Sequence, residues 1–415
     1  MLPPVLEIYV VWHPEDGAGR AIADDFINHF RGTAFTGLIG GAVEVFVRSE
    51  GWRSAGDCPR PIPVPGAGPP NGIGQAEFIA IVPIMGNEFA AAVQNGGVWA
   101  TYVQAIAETQ KANPRRVGVF PYRLDGGATD GTVLGTILGG YQSIAANAPE
   151  VPHDTAEGLR CRDLAQGLTQ FMCGDPDVRL TAFISHTKRS TAAEMGDVNA
   201  LINIVRNVIG TTHLREFFDA SDLQPGTDWS NELREKAATS ALLALRTDLY
   251  PSREWCQKEV LIAKRSGMPV IILDGIGYAE ERGSFLMDHV PRAPIRANGA
   301  EWQRRDVYSA LNLLVDECLK RELWKRQHQL AQDRHELEVS WWAPHAPEPL
   351  TLIQWLENAK ADGRLPAGDE KLRILHPDPP LGPDERAVLE QILEFGGLGA
   401  KLDVMTPRQL AARGG

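Results

Sequence analysis

Hydrophobic positions along the chain fall into short β-rich runs separated by stretches of helical spacing. Strands are predicted at residues 6–12, 43–48, 78–84 and 116–121. Between them, 18–30 places Ile22, Phe26, Ile27 and Phe30 on one helical face. After Gly174-Asp175-Pro176 the same alternation returns more sharply, with strands predicted at 179–185, 214–219, 240–246 and 268–274. Helices are predicted at 197–209, 229–239 and 252–266. A longer one, 301–326, carries Val307, Leu311, Leu314 and Cys318 in a single stripe that must pack on a core or a partner. Strands alternating with helices predict an α/β protein whose parallel sheets are covered on both sides.

The punctuation of this pattern divides the chain into three expected domains, 1–175, 176–333 and 334–415. A Pro/Gly-rich insertion at 58–74 and the stretch 126–140 read as surface loops. Residues 126–132 lack the lysine of a phosphate loop. The last block contains Trp341-Trp342, a Pro-rich connector, a strand-like 371–376, a helix at 383–395, a strand at 402–405 and a helix start at Thr406-Pro407. Roughly 80 residues make a marginal core. This small α/β appendage is therefore expected to dock on its neighbours, with Trp341, Trp342 and Trp355 as docking aromatics.

Composition narrows the function classes. Of 415 residues, 43% are hydrophobic and 23% charged, which excludes wholesale disorder. Lysine plus arginine total 41 against 53 acidic residues, a formal net charge of −12. Without a Lys/Arg block, such a chain is a poor match for nucleic acid or an anionic membrane, and neither is expected as a partner. No apolar run reaches the ~18 residues of a membrane helix. The opening MLPPVLEIYVVWHPED lacks a basic region, so the expected location is cytoplasmic. Five scattered cysteines fit reduced thiols, and His335-Glu336 lacks the second histidine of a zinc-protease helix. No metal and no cofactor is expected.

Four motifs of the second block stand in register. Ala182-Phe183-Ile184-Ser185-His186 ends one strand, and Phe217-Phe218-Asp219 ends the next, leading into a segment with Leu223 and Trp229. Tyr250-Pro251-Ser252 precedes Trp255-Cys256-Gln257-Lys258-Glu259, and Met268-Pro269-Val270-Ile271-Ile272 closes the set. In this order and spacing they resemble the Toll/interleukin-1 receptor (TIR) domain in its bacterial and plant form, over about 178–325. The resemblance implies a flavodoxin-like parallel sheet. The first block resembles a degenerate second copy, in which Trp99-Ala100-Thr101-Tyr102-Val103 falls where Trp255 to Glu259 does, with Val103 in place of the carboxylate. Valine cannot stabilise a cationic sugar, so that copy is expected to be a regulatory, ligand-sensing or assembly module.

Ligands of parallel sheets collect at the carboxyl ends of the strands. The turn 185–188, the loop 219–229 and the turn 247–252 are all expected there. Ser252 is expected to cap the following helix, on which Trp255 and Glu259, four residues apart, share a side. An aromatic plate beside a carboxylate suits a nicotinamide riboside. Breaking its glycosidic bond generates an oxocarbenium-like ribose that the carboxylate stabilises. The resemblance implies the same chemistry: NAD+ as substrate, Glu259 as catalytic residue and Trp255 as the aromatic, with nicotinamide and ADP-ribose or a cyclic variant as products. It places Phe183, Ser185, His186 and Lys188 on the nucleotide side. Asp219, Leu223 and Trp229 would belong to the elements that close the site or make assembly contacts. Implied too are a homo-oligomer through TIR–TIR contacts and an activating partner or ligand for the flanking domains, in an immune effector. The alternative is a non-catalytic TIR scaffold for homotypic protein contacts.

Overall fold

Phe78–Met85 is buried at all 8 positions, which is what an unbroken apolar run becomes when a parallel strand is covered on both faces. It is the third strand of the first of two compact units. These comprise residues 1–176 with 322–337, and 177–321 with 338–415. The computed structural model describes residues 4–32, 35, 42–49, 59–63, 76–144, 153–174, 180–187, 192–218, 236–237, 239–280, 282–298, 301–333, 338–365, 371–398 and 402–413.

In the first unit the order along the chain is β1 (Leu6–Val11), α1 (Gly17–Phe30), β2 (Val43–Arg48), β3 (Phe78–Met85), α2 (Asn87–Gln94), α3 (Val98–Ala112), β4 (Val117–Val119), β5 (Tyr122–Arg123), α4 (Val133–Leu138) and α5 (His153–Cys173). The strands are parallel in the order β2-β1-β3-β4, with β5 also pairing β3. Tyr9, Ile79, Ile81, Phe89, Trp99 and Val103 meet in its core. Asp16, in the turn after β1, is buried and accepts hydrogen bonds from the backbone N–H groups of Glu88 (3.3 Å) and Phe89 (3.1 Å). It thereby supplies the cap that Gly86, at the start of α2, cannot. A Cβ at 86 would lie 2.6 Å from the Asp16 carboxylate, so a larger residue there would push that cap aside.

The stretch 126–140 is not the irregular loop its glycines suggest. It contains a 3-10 turn, Gly126–Ala128, and α4, whose N-terminus Thr132 caps by accepting from the Gly135 N–H at 3.0 Å. Leu134 and Leu138, four apart, bury against the core and hold the short helix in place. Of the insertion 58–74 only 59–63 is described. It is irregular, and the Arg60 carbonyl accepts from the Tyr102 hydroxyl at 3.1 Å.

The second unit opens with β6 (Thr181–Ser185), α6 (Ala192–Ile209), β7 (Arg215–Phe218), β8 (Ala241–Arg246), α7 (Glu254–Arg265), β9 (Val270–Asp274) and β10 (Arg292–Pro294). Its sheet is parallel in the order β10-β9-β8-β6-β7. Counted within the unit this is 2-1-3-4-5, the flavodoxin-like order, and the first unit shows the same 2-1-3-4 start. Both are α/β sheets flanked by helices. A hairpin of β11 (Ala297–Asn298) and β12 (Glu301–Trp302) precedes α8 (Arg304–Asp333). This helix starts later and runs further than its apolar stripe predicts. Its first part belongs to the second unit and the remainder to the first.

Beyond it lie β13 (Trp341–Trp342), α9 (Pro349–Ala361), β14 (Leu372–Leu375), α10 (Pro383–Phe395), β15 (Leu402–Met405) and α11 (Pro407–Ala412), with a parallel sheet in the order β13-β14-β15. The Pro-rich connector therefore hides a helix, because Pro349 occupies its first turn, where no N–H is needed. Trp341 stacks on Trp355 (centroids 5.3 Å apart, planes at 14°) inside the appendage's own core with Leu352, Ile374 and Leu389. Those two tryptophans build the appendage and are not its docking surface. The appendage groups with residues 177–321 through a different contact: Lys264, on the buried face of α7, meets Glu348 at 3.0 Å and donates to the Asp288 carbonyl at 2.7 Å. The turn after α7 is equally close-packed. Gly267 has φ +62°, and a Cβ there would lie 2.7 Å from Arg321 and 3.1 Å from Pro344. No helix among the described residues is long and apolar enough to cross a membrane. The described cysteines 161, 173, 256 and 318 are not in disulfides.

Two outcomes follow from these contacts. Asp16→Ala is expected to lower stability by about 1 kcal/mol in urea denaturation, the usual worth of an N-cap. Lys264→Met should cost more, ~3–5 kcal/mol, because it strands the Glu348 carboxylate in the interior. The pair Lys264→Met with Glu348→Leu should recover most of that loss, and a double variant no more stable than the single would contradict this account of the ion pair.

Candidate active site

Helix α7, EWCQKEVLIAKR, buries Cys256, Glu259, Val260, Ala263 and Lys264. That spacing, i, i+3, i+4, i+7, i+8, is an ordinary amphipathic stripe in which two of the inward positions are charged. A carboxylate at such a position is costly unless hydrogen-bonded. Glu259, 4% exposed, meets this condition at the carboxyl end of β6: the Ser185 hydroxyl donates to its Oε2. Ser185 is the last residue of its strand and pairs with Ala244 of β8. The gap between β6 and β8 is where the strand order reverses, the point at which open α/β sheets place their ligands. Behind Ser185 stands Tyr250, whose hydroxyl lies 2.5 Å from Ser185 Oγ. Tyr250 begins a 3-10 turn, Tyr250–Ser252, that joins β8 to α7.

The surrounding contacts fix these three elements together. Cys256 Sγ donates to the His186 carbonyl at 3.6 Å, and Gln257 Nε2 to the Pro251 carbonyl at 2.6 Å. Phe183 is fully buried among Leu242, Ala244, Val260 and Ile272. It is a core residue, not one lining the nucleotide side as the resemblance implied, since a fully enclosed ring packed between sheet and helix offers no surface to a ligand. The His186 ring turns aside, its Nδ1 3.1 Å from the Thr187 carbonyl. Ser252 does not cap α7. Its hydroxyl donates back to the Leu249 carbonyl at 2.8 Å within the 3-10 turn, and Arg253 takes the N-cap position without a side-chain bond. Favourable charge at this helix start comes from Glu254, paired with Lys258 at 2.6 Å, and that ammonium pulls the Glu254 carboxyl below its ordinary value. Trp255 is half-buried, with Lys258 Nζ 4.6 Å from its ring centroid. Trp255 and Glu259 therefore follow one another along the helix at different depths. Lys188, Asp219, Leu223 and Trp229 lie outside the described residues.

The rim of the same sheet end is built from carboxylates. Asp248 accepts from the N–H groups of Gly277 (2.8 Å), Tyr278 (3.0 Å) and Ala279 (3.4 Å), tying the segment after β9 to the end of β8. Buried Arg246, the last residue of β8, holds Glu280 through two bonds, one of 2.6 Å, with Asp274 at 3.7 Å; the Glu280 bond raises the guanidinium's affinity for its proton. Among the described residues, no three or more His, Cys, Asp or Glu side chains group as metal ligands.

The equivalent place in the first unit is apolar. Val103, one helical turn after Trp99, is buried in the core, and Trp99 packs on Phe89 (5.1 Å) and His13 (5.2 Å). Among the described residues, the buried carboxylate with a hydroxyl partner at the switch point is that of the second unit. Fold and site together define a flavodoxin-like α/β protein with an enclosed carboxylate at the end of its sheet. Neither a family model nor a curated protein matches the sequence.

In the sequence Tyr250 stands out only within the motif Tyr250-Pro251-Ser252. Its signal, an aromatic before a proline, is that of any core residue, and its hydroxyl partner lies 65 positions away. For the rim, Asp248→Ala should release the 277–279 backbone. Amide hydrogen exchange at Gly277, Tyr278 and Ala279 is expected to accelerate by at least tenfold while strands β6 and β8 keep their protection.

Proposed function

We propose that the second unit is a TIR-type NAD+ glycohydrolase or cyclase with Glu259 as its catalytic residue. The observation that carries this reading is the Glu259 carboxylate, drawn inside at the β6/β8 switch point and held there by Ser185, one turn from Trp255. In the reaction, NAD+ loses neutral nicotinamide as the C1′–N bond breaks, its electron pair leaving with the pyridine ring. Positive charge develops on the ribose ring oxygen and C1′. A carboxylate in a water-poor setting stabilises that charge far better than water does. Attack of water at C1′ and loss of a proton then give ADP-ribose; attack by a nucleophile within the same molecule gives a cyclic product. NAD+ is consumed as substrate, and no cofactor is required by these steps. We propose further that the chain acts in the cytoplasm as an immune effector, that it works as a homo-oligomer, and that the first unit and the appendage receive the activating partner or ligand.

A second reading, a non-catalytic scaffold, is favoured by the enclosure of Glu259. A carboxylate already engaged by a buried hydroxyl also serves as a structural link between helix and sheet. Incubating the full chain with NAD+ over a range of protein concentrations separates the two. Nicotinamide release should rise more steeply than in proportion to concentration, and Glu259→Gln should reduce it by at least 100-fold. Turnover in that variant equal to the parent's would remove the catalytic assignment.

A further inference from the structure

We infer that Tyr250 and Ser185 form a serial hydrogen-bond relay that orients the Glu259 carboxylate, and that both are positioning residues for the reaction proposed above, on which this inference rests.

The direction of the relay follows from counting protons. Serine has one O–H, and Ser185 gives it to Glu259 Oε2. The short contact between Ser185 Oγ and the Tyr250 hydroxyl, 2.5 Å, can then be a hydrogen bond only if Tyr250 donates. The order is Tyr250 to Ser185 to Glu259, ending on the carboxylate that the proposed reaction uses in its ionised form. All three are enclosed: Tyr250 is 0%, Ser185 1% and Glu259 4% exposed. In so dry a setting each bond polarises the next, and bonds to an ionised acceptor are the strong ones.

Each member comes from a different element. Ser185 ends β6, Tyr250 opens the turn after β8, and Glu259 lies in the second turn of α7. The relay therefore ties the carboxylate to the sheet across the switch point, where α7's apolar contacts alone fix the helix but not the rotation of the carboxylate. A glutamate has three rotatable bonds. Pinning Oε2 removes the last of these freedoms and sets which way the group faces an approaching ribose, a requirement of orientation more than of binding. The first unit shows the converse. Val103 needs no such bond, and Trp12, the buried residue directly after β1, offers no hydroxyl.

The test uses the full chain carrying Tyr250→Phe, Ser185→Ala, both together, and Glu259→Gln. Nicotinamide release and thermal unfolding are measured for each. Tyr250→Phe should lower kcat roughly 10-fold and Ser185→Ala roughly 100-fold, with KM changed less than about 2-fold, since orientation and not affinity is lost. Because the relay is serial, Tyr250→Phe should cost nothing further in the Ser185→Ala background. A Tyr250→Phe enzyme at the parent's kcat would overturn the relay, as would an equal loss in both backgrounds. If the parent chain releases no nicotinamide, or Glu259→Gln is fully active, the catalytic reading fails by itself. The relay is then decided by unfolding: the midpoint shifts of Tyr250→Phe and Ser185→Ala must be non-additive for it to stand, and additive shifts refute it.

Discussion

A charged side chain on the inward face of a helix must find a partner or the helix will not seat. In this protein that constraint falls twice on α7, at Glu259 and at Lys264. Glu259 is satisfied by the sheet, through Ser185 at the end of β6. Lys264 is satisfied by the appendage, through Glu348 at the start of α9. The same helix thus anchors the candidate site at one end and the C-terminal βαβαβα segment near the other. Its apolar residues, Cys256, Val260 and Ala263, supply the burial that makes both partnerships strong.

The two sheets show how little of this the fold itself demands. Both begin with the strand order 2-1-3-4, and each carries, after its third strand, a helix with a tryptophan near its start. In the first unit the position four residues on is a valine in an aromatic-rich core, and the loop after β1 sends Asp16 to cap α2. In the second it is a carboxylate in a hydroxyl network. A shared architecture with different inward chemistry is what is expected when function resides in a site grafted onto a fold. That contrast makes the second unit the place to seek chemistry.

Strand β3 was legible because a parallel strand covered on both faces is apolar without interruption, and the edge strand β2 because its β-rich run is broken only by Glu44; both fall within a residue of their predicted bounds. The misreadings share one cause. Glycine and proline mark turns in isolation, but α4 within 126–140 and α9 in the Pro-rich connector are helices whose stability comes from Leu134, Leu138, Leu352 and Trp355 burying elsewhere. Ser252 has the right chemistry for a cap, yet the 3-10 turn directs its hydroxyl backward and starts the helix two residues later. Phe183 reads equally well as core or lining until its neighbours are known.

Residue spacing along the chain was enough to reveal the α/β class, the similar rhythm of the first two blocks, and Trp255 and Glu259 one helical turn apart. These depend on local spacing, and spacing along the chain is all that secondary structure requires. Tertiary contacts alone turn Glu259 inward, pair it with Ser185, 74 positions away, set Tyr250 behind Ser185, and join the appendage to the second unit through Lys264. Those are contacts between residues distant in sequence, selected by which polar groups burial leaves in need of one another. No local pattern records that choice.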